Sequence, residues 1–114
     1  MSRFDWDPAK NRENLRKHDV SFETAARAFD DQWILSRKDL SHEVAEERYN
    51  ALGEIASGVV LFVVYTYREL NESEIIRIIS ARGASAQEKR SYEEARSRAK
   101  AGDRRHSRQD RRYD

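Results

Sequence analysis

Hydrophobic and polar positions along the chain change period twice. They are helical up to Asp31, strand-like from Gln32 to about Ala81, and helical again from Ser85. After an extended start at Arg3-Phe4-Asp5-Trp6, Asp7-Pro8 opens the first helix. Asp suits the N-cap, and Pro at the first helical position gives up an N–H that has no partner there. That helix passes through Ala9, Leu15 and Lys17 and stops near His18-Asp19. Ser21 caps a second, in which Phe22, Ala25, Ala26 and Phe29 follow the i, i+3, i+4, i+7 spacing of an apolar stripe that ends at Asp30-Asp31.

Trp33-Ile34-Leu35 predicts a short strand, followed by a polar segment from Ser36 to Ala45. Glu47, Tyr49, Ala51 and Gly53 alternate with Glu46, Arg48, Asn50 and Leu52, which suits a strand with a mixed face. Ser57-Gly58 turns the chain into Val59–Thr66, a β-branched and aromatic run too short for a membrane span and expected to be buried on both faces. Arg68–Glu74 reads as a polar connection and Ile75–Ala81 as the next strand. Ser85-Ala86-Gln87-Glu88 is a capping box for a last helix with Tyr92, Ala95 and Ala99 on one face and Gly102 as its stop. The expected fold class is α+β: two N-terminal helices, a mainly antiparallel sheet of about four strands carrying the helices on one face, and one C-terminal helix.

Composition narrows the function classes. The 114 residues allow one domain, expected over 1–101, with a basic, disordered tail at 102–114. No cysteine is present, which excludes a disulfide scaffold, a thiolate metal site and a cysteine nucleophile. His18, His42 and His106 lie at no metal-ligand spacing, so neither a metal nor another cofactor is expected. There is no long apolar run and no signal-type stretch after Met1-Ser2-Arg3, which predicts a cytoplasmic protein without membrane contact. The 22 Lys plus Arg and 21 Asp plus Glu give a net charge of only +1. From Arg96 onward, however, eight basic residues face three acidic ones, leaving 14 basic and 18 acidic residues in the preceding part. A mildly acidic body carries a basic end.

Against that acidic body, one cation stands out. Arg77 lies between two pairs of isoleucines, where a guanidinium needs an anionic partner or a cleft. A salt bridge on a partly exposed face and a phosphate site both satisfy it, since the planar fork matches phosphate oxygens. Arg82 precedes the capped start of the last helix, a place that favours anions. An odd separation points the two arginines to opposite faces of a regular strand; they converge only if the chain bends or bulges at Ser80-Ala81. His42 and Glu46 form an H-x-x-x-E pair suited to proton transfer or to an ordinary surface contact. Lys17 and His18 suit a helix C-terminus or an anion, Lys89 and Arg90 solvent or phosphate, and Tyr92 either the core or stacking on a base.

Taken in order, several segments resemble the BrnT family of type II toxins: Phe4-Asp5-Trp6-Asp7 with Lys10, Asn14 to His18, Val20 to Glu23, and Ala25-Ala26 to Phe29-Asp30-Asp31. The resemblance continues at Glu46-Glu47-Arg48-Tyr49 with Gly53, and at Arg77 to Arg82 with Glu88, Arg90 and Tyr92, spanning roughly residues 4–95. It implies a RelE-like fold and a metal-independent endoribonuclease that inhibits translation. It also implies a BrnA-type ribbon-helix-helix antitoxin, and contact with operator DNA only as the toxin–antitoxin complex. On that reading Arg77, Arg82, His42 and Glu46 are the catalytic candidates, and Lys17, His18, Arg48, Lys89, Arg90 and Tyr92 contact RNA. A non-catalytic nucleic-acid- or partner-binding regulator is the alternative.

Overall fold

The computed structural model describes residues 2–40 and 47–102. In chain order these form β1 (Ser2–Asp5), α1 (Pro8–His18), α2 (Phe22–Ala26), a 3-10 turn (Arg27–Asp30), β2 (Leu35–Lys38), β3 (Tyr49–Ala56), β4 (Val59–Leu70), β5 (Ser73–Gly83) and α3 (Ala86–Gly102). No helix among them is long and apolar enough to cross a membrane. The helix ends obey the expected chemistry. Asp7 Oδ1 accepts from the Ala9 amide at 2.9 Å, Ser21 Oγ accepts from the Thr24 amide, and Ser85 and Glu88 cap each other's amides. At its far end α1 is closed by Asp19, in left-handed backbone at φ 60, whose N–H reaches the Leu15 carbonyl.

The sheet has five strands in the order β1-β5-β4-β3-β2, with β1 parallel to β5 and every other pair antiparallel. The strand beyond the expected four is the N-terminal extended piece. The segment expected as a polar connection at Arg68–Glu74 is largely strand: only Asn71 and Glu72 turn, at φ 52 and φ 65. Two consecutive positive-φ residues make the tight hairpin turn whose twist matches its strands. Its flanks are polar because Tyr67–Leu70 are exposed, not because they are irregular.

Two apolar clusters lie on opposite faces of β4. Leu61, Val63 and Tyr65 face α1, α2 and the 3-10 turn, packing with Phe22, Ala25, Ala28 and Ile78. Val60 and Phe62 face the other way, toward Leu35, Leu52 and Tyr92 of α3. The helices therefore occupy both faces, and the expectation of one covered face is corrected. The uninterrupted apolar run of β4 is what a strand buried on both sides requires. Gly53 permits the first packing: a Cβ there would come within 2.6 Å of the Ala28 carbonyl oxygen, so the 3-10 turn rests directly on the β3 backbone.

Beyond Arg77, β5 has no strand neighbour on the β1 side among the described residues. Asn14 of α1, only 6% exposed, fills that role with its carboxamide. Its Nδ2 donates to the Ala81 carbonyl at 2.8 Å and to the Val20 carbonyl at 2.9 Å, and its Oδ1 accepts from the Ala81 amide at 3.2 Å. A side chain thereby completes the ladder of an uncovered strand edge.

A second polar network fixes α3. The Tyr92 hydroxyl donates to Asp31 Oδ2, which also accepts from the Glu54 amide at 2.8 Å, while Asp31 Oδ1 accepts from the Trp33 amide. Arg96 lies over the Tyr92 ring and pairs with Glu54 at 3.0 Å. Burial first, and then the bond to Asp31, push the Tyr92 phenol well above its ordinary range.

Stability outcomes are expected at three residues, each measurable by urea denaturation. Asn14→Ala is expected to cost at least ~2 kcal/mol, because it strands buried backbone groups, and Asn14→Asp at least as much, since its acceptor-only carboxylate would face two carbonyl oxygens. Gly53→Ala is expected to cost ~1–3 kcal/mol through overpacking against Ala28. Tyr92→Phe is expected to cost ~1.5–3 kcal/mol, the worth of a hydrogen bond to a charged group. An unchanged denaturation midpoint in any of the three would refute the role given to that residue.

Candidate active site

Strand register decides whether the two arginines meet. Phe62 pairs with Arg82 and Val64 with Ser80, but the next residue of β4, Tyr65, pairs with Ile78. Ile79 is thus an extra residue in β5, a β-bulge, and beyond it Arg77 pairs with Thr66. Because Phe62, Val64 and Thr66 alternate regularly along β4, their partners Arg82, Ser80 and Arg77 share one face of the sheet. The bulge sits one residue before the Ser80-Ala81 position that convergence required. Asn50 and Arg37 extend this face across β3 and β2. The α3 cluster covers it only around Leu35, Leu52 and Phe62.

The two guanidinium groups are held differently. Asp5 sits opposite Arg77 in the parallel β1–β5 register, and one Arg77 nitrogen donates to Asp5 Oδ2 at 2.7 Å. Both side chains remain about half exposed, at 44% and 51%, so water reaches the pair and its net strength is small. Arg82 is clamped instead. Its two terminal nitrogens donate to the two Glu88 oxygens at 2.9 and 3.0 Å, and its carbon lies 4.2 Å from the centre of the Phe62 ring. The Arg82 hydrogen bonds hold the Glu88 carboxyl below its ordinary range against some desolvation. A depressed carboxylate keeps its stabilising charge above the ordinary value and loses it only as the pH falls through the lowered one, so this clamp persists into acid. Glu88 joins two tasks, since the same carboxylate caps α3 through the Ser85 amide at 2.8 Å.

At the uncovered stretch of β5, the outer side of α1 and the bulge enclose a shallow depression of about 220 Å3. Lys17 and His18 line it together with Lys10, Ile79 and Ser80. The structure thus brings two of the expected RNA contacts alongside the arginine-bearing strand. Lys89 stands elsewhere, its Nζ beside Gly58 at the β3–β4 turn, about 26 Å along the chain from Thr66 at ~3.3 Å per residue. Arg90 is exposed and two residues from inward-facing Tyr92, which turns it to the solvent side of α3. Tyr92 itself is removed from the RNA-contacting set: it is fully buried, and its hydroxyl is committed to Asp31. Arg48 immediately precedes β3; its Nε is buried without a hydrogen-bond partner among the described residues. His42 and Glu46 lie outside the described residues.

Sequence reading missed Asp5, Ser80 and Lys10 as neighbours of the site, and Glu88 as more than a cap. Lys10, Asn14, Lys17 and His18 do carry a signal, the i, i+4, i+7, i+8 spacing of one helical face. Asp5 carries none, because only the sheet register brings it to Arg77 across 72 positions. Chemically, the face offers an exposed guanidinium bound once, a second one fixed by a fork-to-fork pair, and a hydroxyl between them. Such an arrangement suits the oxygens of a phosphodiester.

No curated protein matches the chain. The crystal structure of the Brucella abortus ribonuclease toxin BrnT superposes with a TM-score of 0.50 at 22% identity, over 75% of this chain and 97% of that one, a likeness of fold. The profile of the family described as ribonuclease toxin, BrnT, of type II toxin–antitoxin systems matches residues 6–88. With most of its length matched, from Trp6 in the turn after β1 to Glu88 in the clamp on Arg82, the chain belongs to the BrnT ribonuclease toxin family.

Proposed function

We propose that this chain is a metal-independent endoribonuclease that cleaves RNA by attack of the 2′-hydroxyl and is neutralised by a BrnA-type ribbon-helix-helix antitoxin. A base removes the 2′-hydroxyl proton, the new bond forms from O2′ to phosphorus, and the bond from phosphorus to O5′ breaks. The leaving oxygen takes a proton, giving a 2′,3′-cyclic phosphate and a 5′-hydroxyl. The observation that carries the reading is the bulge at Ile79, which puts Arg77 and Arg82 on one face of the sheet.

The two arginines divide the work. Arg77 exchanges its half-exposed Asp5 partner for a phosphoryl oxygen, and the clamped Arg82 supplies fixed positive charge nearby. Preorganised charge of this kind stabilises the charge that builds on the phosphoryl oxygens. His42 or Glu46 is assigned as base. Lys17 or His18, beside Ser80 at the strand edge, is assigned as the acid that protonates the leaving group. The antitoxin partner and the operator binding of the complex are carried by family membership alone. Cleavage of RNA in this way inhibits translation in the cytoplasm.

Purified protein incubated with RNA and a metal chelator is expected to yield fragments ending in 2′,3′-cyclic phosphate. Arg77→Ala is expected to lower kcat ~10²–10³-fold while the fold persists, in the range seen when one preorganised donor to a developing negative charge is removed. Arg82→Ala is expected to lower both activity and the denaturation midpoint, because it releases Glu88 and uncovers Phe62. Intact RNA with salt-dependent binding would favour the non-catalytic regulator, and cleavage that disappears with chelator would overturn metal independence.

A further inference from the structure

We propose that the depression between α1 and the β5 bulge is a second phosphate subsite, so that an RNA strand bound at Arg77 continues over the edge of the sheet onto α1. This rests on the ribonuclease reading above. Lys10 and Lys17 are seven residues apart, two helical turns, and therefore project from one side of α1 into the same depression. His18 lines its far end. Glu13 also faces it, but it is paired with Lys17 at 3.4 Å and lies 3.8 Å from Arg16, so cations outnumber it. In a body whose residues before Arg96 hold more acidic than basic groups, cations gathered around one concavity are a specific feature.

Continuity with the arginine face distinguishes this site from an ordinary solvated helix. Ser80 lies on both: its register partner Val64 places it on the face of Arg77, and its side lines the depression. Three residues separate it from Arg77, roughly 10 Å of strand at ~3.3 Å each. At the uncovered edge of β5 a bound strand can leave that face without crossing another β-strand of the described residues. A polyanion with regularly spaced charges meets Arg77, the Ser80 hydroxyl and then Lys10 and Lys17 in succession. The ligand is thus the backbone of single-stranded RNA next to the scissile phosphate, and Lys10 is a contact that the catalytic step itself does not need.

The test is a binding titration at rising salt, with a short oligoribonucleotide carrying 2′-methoxy groups so that it cannot be cleaved. Lys10→Gln together with Lys17→Gln is expected to weaken binding ~10-fold or more at low salt. It should also flatten the dependence of log K on log salt by about 0.7 for each lost phosphate contact. Lys10→Arg with Lys17→Arg should restore both quantities, which a loss of folding would not allow. If the double glutamine variant keeps the wild-type slope while Arg77→Ala weakens binding, the subsite falls and the ribonuclease reading stands. If wild type neither binds nor cleaves RNA, both fall together. Unchanged RNA binding with weakened binding of an acidic antitoxin peptide would assign the depression to a protein partner and overturn the proposal.

Discussion

The carboxamide of Asn14 is the contact on which the arrangement of this molecule turns. A sheet strand with an uncovered edge exposes alternating donors and acceptors that must be paired, hydrated or hidden. Here the pairing is made by one side chain from the first helix, which meets both the amide and the carbonyl of Ala81. Its third bond, to the Val20 carbonyl, ties the same residue to the link between α1 and α2. Asn11 strengthens that joint, accepting from the Phe22 amide at 2.8 Å and donating to Glu23. The helical layer and the sheet are thus registered by hydrogen bonds with fixed directions, as well as by the non-directional packing of Phe22 and Ala25. Directional contacts explain how α1 can lie beside the strand edge and still hold a defined position relative to the bulge.

That bulge is where local structure becomes chemistry. A regular β5 would send Arg77 and Arg82 to opposite sides of the sheet, one of them toward the cluster around Phe22 and Ile78. With one inserted residue both cations stay on the hydrated side, and the interior remains apolar. The insertion leaves Ile79 half-buried at the rim of the depression beside α1. The irregularity therefore does two things: it aligns the arginines, and it opens the space that Lys10, Lys17 and His18 border.

Much of the architecture was legible in the sequence because it follows from short-range rules. The caps at Asp7, Ser21 and Ser85, the stripe through Phe29, and the doubly buried run of β4 each need only a few neighbouring residues. The polarity of Arg68–Glu74 does not distinguish a loop from a projecting hairpin, which is polar on both sides and still paired. The parallel β1–β5 ladder and the Asp5 partner of Arg77 could not be read, since no local pattern encodes which distant strand a short edge piece joins. The bulge is silent for a related reason. An extra isoleucine in an isoleucine-rich strand changes neither composition nor hydropathy. Tyr92 shows the opposite limit: an aromatic on a helix face suits a base or a core equally well, and only the position of Asp31 decides between them.

The pairing of β1 with β5 also has a temporal side. The first residues of the chain find their sheet partners some 72 positions later, and closing so large a loop is slow compared with forming helices or hairpins. On the ribosome, neither arginine can take its place until β5 has emerged, by which point most of the body has been synthesised. A nascent chain therefore carries the α1 lysines long before it carries an assembled cationic face. The topology itself postpones assembly of the cationic face until β5 has been made.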